Sequence, residues 1–224
     1  MKSVSMTMYQ VARVAASVVV LACAAGAAQG QEIYATGGTL GVGLGGALNL
    51  GPHLGVHAEA QGLAFGRSFS VDDDNYDGHL SLAQGGLYLD LFPFASSAFR
   101  VTGGALFNSD TLTATATPNA DGNYKIGNVY VPAVGAAPTA KATLPHVMPY
   151  LGIGYGHKQV KRGFGFAADL GVAYGRPHLT YNVPEIYQLF VGPDDIQDEE
   201  QKLTEKIERY RWYPVAQVAL TYRF

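Results

Sequence analysis

The chain has 224 residues, 28 of them Gly and 14 Tyr but one Trp, with 15% charged residues and a formal net charge of −3. That balance lacks the basic stripe a nucleic-acid-binding surface needs. Past the first thirty residues no run is long and apolar enough for a membrane-spanning helix, and one domain is the natural count at this length.

Lys2 and Arg13 precede an apolar run from Val14 to about Ala28, and small residues follow up to Ala28-Gln29-Gly30. This is the pattern of a cleaved secretory signal, so residues 1–30 are expected to be removed and 31–224 to form the mature domain. The mature charge is then 13 basic minus 18 acidic residues, or −5, and the only cysteine, Cys23, is lost with the signal. A rival reading takes Val20-Leu21-Ala22-Cys23 as a lipoprotein box with Cys23 acylated, although Leu21 fits that position poorly.

Alternation of apolar with small or polar residues then recurs along the chain, the mark of strands with one apolar face. The first such run, Leu40 to Asn49, places Leu40, Val42, Leu44 and Leu48 outward and glycines inward, where they let a narrow barrel close. After the turn Leu50-Gly51-Pro52-His53, a second strand has Val56, Ala58 and Ala60 outward and His57, Glu59 and Gln61 inward. Its outward phase switches to Leu63, Phe65 and Phe69, which predicts a bulge near Gly62. Asp72 to Gly78 reads as a polar loop. A third strand carries Leu87, Leu89 and Leu91 outward with Tyr88 and Asp90 inward, and ends in a tight turn at Phe92-Pro93-Phe94.

The fourth strand, Phe99 to Asn108, shows Phe99, Val101 and Phe107 outward with Arg100 and Thr102 inward. Ser109 to Pro145 reads as a long extracellular loop holding a small hairpin near Gly127-Asn128. Strands five and six alternate Leu151, Ile153 and Tyr155 with glycines, then Phe164, Phe166, Leu170, Val172 and Tyr174 with Gly165, Asp169 and Gly171. Between Gly175 and Tyr213 lies one helical pattern, Asp194 to Arg209, with Ile196, Leu203, Ile207 and Tyr210 on one stripe and Asp198–Lys202 and Glu205–Arg209 at i, i+4. The last strand, Tyr213 to Phe224, turns Ala216, Val218, Leu220, Tyr222 and Phe224 to one side.

Strands of about ten residues with an apolar outer face span a hydrophobic layer of ~25 Å, and bacterial single-chain barrels close with an even number of strands. Seven are read here, and the eighth is expected near Ile33–Gly37 or in His178–Val183. The fold class is therefore all-β, an antiparallel transmembrane barrel of eight strands with one short charged helix in a loop.

Several segments together resemble the small Gram-negative outer-membrane β-barrel proteins and, within them, a poorly characterised proteobacterial group. They are Leu91 to Arg100, Val101-Thr102-Gly103-Gly104, Pro149 to Gly156, Asp169 to Val172, Glu199 to Leu203 ahead of Tyr213-Pro214, and the closing Tyr222-Arg223-Phe224. The resemblance implies an outer-membrane location, contact with outer-membrane lipids and lipopolysaccharide, and insertion by the barrel assembly machinery through a C-terminal signal matched by Leu220, Tyr222 and Phe224. It implies no reaction.

The inward charges Glu59, Asp90, Arg100, Asp169 and Arg223 are expected to form a salt-bridge network filling the interior, because unpaired buried charges are costly. A structural or surface-interaction role without catalysis follows, with the 194–209 helix as either a cap over one barrel mouth or a docking element for a surface or envelope partner. Two alternatives stay open. A narrow channel for ions or small solutes would use the inward charges. A lipid A-modifying hydrolase would use His79-Leu80-Ser81, whose His-x-Ser spacing is that of the lipid A 3-O-deacylases, with Glu59 or Glu185 as the acid; Leu82 stands where that family commonly has Asn. No cofactor or metal site is read. Asp73, Asn75, Asp77 and Gly78 have calcium-loop spacing, but Gln84 replaces the bidentate Glu. His53, His57, His146, His157 and His178 lack ligand spacing. Trp212, Tyr213, Tyr174, Tyr181 and Tyr210 are expected in an aromatic girdle.

Overall fold

The computed structural model describes residues 31–71, 74–126, 129–158 and 161–224. Residues 1–30, where a signal is expected, and Asp72, Asp73, Gly127 and Asn128 lie outside the described residues. Among the described residues thirteen strands form: β1 (Gln31–Gly38), β2 (Gly41–Asn49), β3 (Leu54–Val71), β4 (Asp74–Leu91), β5 (Phe99–Asn108), β6 (Thr111–Thr117), β7 (Asn123–Ile126), β8 (Val129–Pro132), β9 (Thr139–Thr143), β10 (Val147–Tyr155), β11 (Gly163–Tyr174), β12 (His178–Asn182) and β13 (Trp212–Arg223). Two helices, α1 (Glu185–Gln188) and α2 (Pro193–Glu208), lie between β12 and β13.

Eight strands close a ring in the order β1-β2-β3-β4-β5-β10-β11-β13, all antiparallel, with β1 meeting β13 through Ile33↔Tyr222 and β4 meeting β5 through Leu89↔Gly103. The strand missing from the sequence pattern is β1. Its outward positions, Ile33, Ala35 and Gly37, carry one large apolar side chain, so its alternation is weak. The outer belt is apolar: Val42, Leu44, Leu87, Leu91, Leu151, Phe164, Phe166, Leu170 and Val218 are all more than half exposed. The second option for the missing strand, His178–Val183, is also a strand, but it lies outside the ring.

The wall rises on one side. β3 and β4 each run 18 residues, against nine for β10, and pair without interruption from Leu54↔Leu91 to Val71↔Asp74. The bulge expected near Gly62 does not form, because the β3–β4 register is constant; Leu63 and Phe65 keep the inward phase of His57 and Glu59 and stand above the rim, where that face is open. The loop expected at Asp72–Gly78 is likewise strand from Asp74 onward. The long loop Ser109–Pro145 is also mostly strand. β6, β9 and β12 continue the lines of β5, β10 and β11 past short offsets, and pair in the order β4-β6-β9-β12. At ~3.4 Å per residue this half-wall extends roughly 25–30 Å along the strands beyond the ring.

The half-wall has two unlike faces. Its outer face, in phase with the apolar belt, presents the rows Ser81-Thr111-Thr143-His178, His79-Thr113-Lys141-Thr180 and Asp77-Thr115-Thr139-Asn182. Its inner face carries a lobe, built from β7, β8 and the helices, with a small core of its own in which Tyr124, Ile126, Val131, Val183, Tyr187 and Val191 are buried and Ile196 of α2 packs at the margin. Tyr124 and Tyr187 meet edge to face with ring centroids 5.8 Å apart, and Tyr187 Oη accepts a hydrogen bond from Gly135 N at 3.0 Å. The helix expected over Asp194–Arg209 starts with Pro193 in its first turn and ends at Glu208. It packs along β12 and the lobe rather than over the barrel mouth. Glu205 accepts a hydrogen bond from Gln201, and the one ion pair described near the helix end joins Arg211 to Glu208 at 3.6 Å.

Candidate functional site

The interior of the ring is where the polar side chains of this chain converge. At its centre lies Arg100 on β5, fully buried, whose Nη2 bonds both carboxylate oxygens of Asp169 on β11, at 2.5 and 2.7 Å. Its Nε lies 3.1 Å from Asp90 Oδ1 on β4, an ion pair without hydrogen-bond alignment, and Nη1 has no hydrogen-bond partner among the described residues. Asp90 is anchored from two further sides, by Thr102 Oγ1 at 2.6 Å and by His57 Nδ1 at 2.6 Å. Three contacts on the Asp90 carboxylate and one guanidinium nitrogen shared between both oxygens of Asp169 are charge-assisted contacts that offset part of the desolvation of buried charge.

A second group surrounds Glu59. Its carboxylate accepts from Tyr88 Oη at 3.0 Å, Gln217 Nε2 at 3.2 Å and Tyr34 Oη at 3.3 Å, so it is held by neutral donors. His57 stacks on Tyr88 with centroids 4.5 Å apart, which links the two groups. A third pair sits at the end of the ring where β1 begins and β13 ends: His157, in the β10–β11 turn at φ 58°, turns its ring inward and places Nδ1 2.5 Å from Glu32 Oε1 on β1.

Sequence reasoning placed Glu59, Asp90, Arg100, Asp169 and Arg223 on the inner face. The structure brings Asp90, Arg100 and Asp169 into one chain of ion pairs and sets Glu59 in a separate hydroxyl and amide cradle. Arg223 stands half-buried opposite Glu32 and Gly163, near the terminus end, and none of the ion pairs among the described residues includes it. Glu32 and His157 were not anticipated. Glu32 lies on the strand with the faintest pattern, and His157 enters from a turn, where alternation says nothing about direction. Of the other histidines, His53 bonds the Phe92 carbonyl and His146 the Asn108 carbonyl, and His178 lies on the outer face of the half-wall.

Above the charges the interior turns apolar. Leu40, Leu106, Met148 and Val215 are buried to within 2% and pack with Tyr88, Tyr150 and Ala173, with Tyr213 and Leu144 at the edge. Three assignments are corrected here. Leu40 was expected outward, but it belongs to the tight β1–β2 turn that Gly41 closes at φ 107°, and its side chain folds over the lumen. Tyr213 was expected in the aromatic girdle, yet it points inward and donates from Oη to the Thr39 carbonyl at 3.1 Å. Tyr181 packs against the lobe core, whereas Tyr174 and Trp212 do meet at the rim, centroids 4.9 Å apart.

No protein-family model matches the chain, and no characterised protein matches it by sequence. Among solved structures it is similar to CarO2 of Acinetobacter baumannii, at 20% identity and a TM-score of 0.55, over 87% of this chain and 98% of that one. It is also similar to CarO of the same organism, at 18% identity and a TM-score of 0.53, over 86% and 97%. The likeness is one of fold. At such identity it transfers no ligand or role.

The hydrolase residues are not assembled around a common point. His79 and Ser81 both lie on the outer face of β4, opposite Thr113 and Thr111, while Glu59 is inside the barrel and Glu185 is on α1. Asp77, one of the calcium-loop positions, accepts a hydrogen bond from Ser68 across the β3–β4 hairpin at 2.6 Å.

Proposed function

We propose that this protein is an outer-membrane β-barrel whose lumen is closed, and that it acts through its half-wall and lobe as a structural or surface-interaction protein rather than as a pore or enzyme. The observation that carries the reading is the filled interior, with Arg100 buried among three strands' polar groups and an apolar plug of Leu40, Leu106, Met148 and Val215 across the lumen. An eight-stranded ring leaves an interior that side chains just fill. The apolar belt supports the membrane setting, since ring strands of about ten residues match a layer of ~25 Å.

With the termini in the periplasm, as in barrels of this kind, the half-wall and both helices face outward from the cell. Planar-bilayer recording on the refolded mature protein tests the closed lumen, alongside a gel on which the folded barrel migrates apart from the boiled chain. A folded barrel without reproducible conductance steps is the expected result; regular steps that change in Arg100→Met would instead establish a channel.

A further inference from the structure

The half-wall continues only part of the ring. Among the described residues no strand continues β2, β1 or β13 above the mouth, so the inner face of the half-wall is open on that side. One row of this face runs from Phe65 on β3 through Leu80 and Leu112 to Leu179 on β12, with Leu63 one row below and Arg67 one row above. Leu63, Phe65 and Leu112 are 44, 52 and 46% exposed. They lie on the opposite side of the sheet from the apolar belt, so they meet water rather than lipid. Beneath them Leu144 and Tyr213 edge the plug of Leu40, Leu106 and Met148, and above them Ala116 and Tyr181 pack against the lobe core. The result is a cleft with an apolar floor, back and roof. An exposed apolar patch held in such a concavity, with one charged group placed beside it, is the pattern of a ligand site.

Arg67 decides the chemistry of the occupant. No carboxylate stands on the inner rows among the residues whose side chains are described, and Arg67 enters none of the ion pairs among the described residues. Its row continues through Gly78, Ala114 and Ala140, so no bulky side chain separates the guanidinium from the apolar row. An unpaired guanidinium at the lip of an apolar cleft complements a single anionic headgroup, and its planar fork matches a carboxylate. From β3 to β12 the apolar row crosses four interstrand steps, or ~19 Å, room for an extended chain. We propose that the cleft binds a water-borne amphiphilic carboxylate, with the headgroup on Arg67 and the apolar body laid across Phe65, Leu80 and Leu112. The proposal rests on the reading of the half-wall and lobe as the working surface and gives that surface a ligand class.

Refolded mature protein in phosphatidylcholine nanodiscs would be dialysed to equilibrium against radiolabelled dodecanoate, with uptake by empty nanodiscs subtracted. Saturable binding of about one dodecanoate per barrel is expected, and dodecyltrimethylammonium, with the same chain and the opposite charge, is expected to bind about tenfold more weakly. Arg67→Gln is expected to abolish that difference, and Phe65→Ser combined with Leu112→Ser to weaken dodecanoate binding about tenfold. Val134→Ser with Leu189→Ser, which removes apolar side chains exposed elsewhere, is expected to leave binding unchanged. Wild-type uptake no greater than that of empty nanodiscs, equal binding of the two headgroups, or wild-type binding by the Phe65 and Leu112 variant would overturn the site while leaving an inserted barrel standing. A refolded protein that does not enter nanodiscs at all would overturn the membrane reading instead.

Discussion

Tyrosine rings and glycines fit together inside the ring with little tolerance. A Cβ added at Gly171 would lie 2.4 Å from Tyr150 Oη, and one at Gly45 would lie 2.2 Å from Tyr34 Cζ. Gly171→Ala is therefore expected to push Tyr150 from its site and cost about 1–3 kcal/mol, read as a lower urea midpoint in detergent micelles. Arg100→Met leaves Asp90 and Asp169 buried without their cation, an expected loss of about 3–5 kcal/mol. Pairing it with Asp169→Leu should restore part of that loss, and strictly additive effects in this double-mutant cycle would refute the ion pair as an energetic unit.

Asp110, at the junction of β5 and β6 above the belt, behaves differently. Burial raises its carboxyl to about 6, against the opposing effect of hydrogen bonds from Ala83 N and Gln84 Nε2. The fold thus favours the neutral acid, so its stabilising contribution is complete below the unfolded value near 3.8 and is lost as pH rises through about 6. Asp110→Asn is expected to unfold at a higher urea concentration than wild type at pH 8 and at the same concentration at pH 4. The Gln84 amide can turn to accept from the new Asn, since its Oε1 is otherwise without a partner.

Among the elements, β3 carries the most exposed edge. Beyond Val42↔Gly62 it has no strand neighbour on the β2 side among the described residues, and Leu63 to Ser68 are exposed on both faces. Such an edge invites pairing with another chain, and a charged side chain is the usual obstacle. Arg67 is the one charge in that stretch. Arg67→Val is expected to lower the concentration at which the refolded protein self-associates, measured by sedimentation; unchanged sedimentation would mean that the edge is protected by something else. The same strand shows why a bulge seemed required. Leu63 and Phe65 are large and apolar, so pattern alone assigns them to the outer face, but they lie past the rim, where the inner face no longer lines a filled lumen.

At the scale of the molecule, ring and lobe have separate cores, one around Tyr88, Leu106 and Met148 and the other around Tyr124, Tyr187 and Val191. Replacing residues 119–134, which include β7 and β8, with a short Gly-Ser turn is expected to strip the lobe core while leaving the heat-dependent gel shift of the folded barrel intact. Loss of that shift would show that the lobe is needed to close the ring.

The amino-acid sequence by itself determined seven of the ring strands, the inward or outward face of most of their residues, and the inward placement of Glu59, Asp90, Arg100 and Asp169. Those properties follow from the two-residue repeat of a strand whose outer face is apolar. Only the tertiary structure decided which strand completes the ring, that β6, β9 and β12 extend the wall, and that α2 lies on the lobe. It alone also showed Glu32 and His157 meeting inside the barrel and Leu40 folding across it. The reason is physical: a polar strand above the belt, a turn and a tight corner carry no apolar alternation, and the contacts they make join residues as far apart as Glu32 and His157, which no local pattern links.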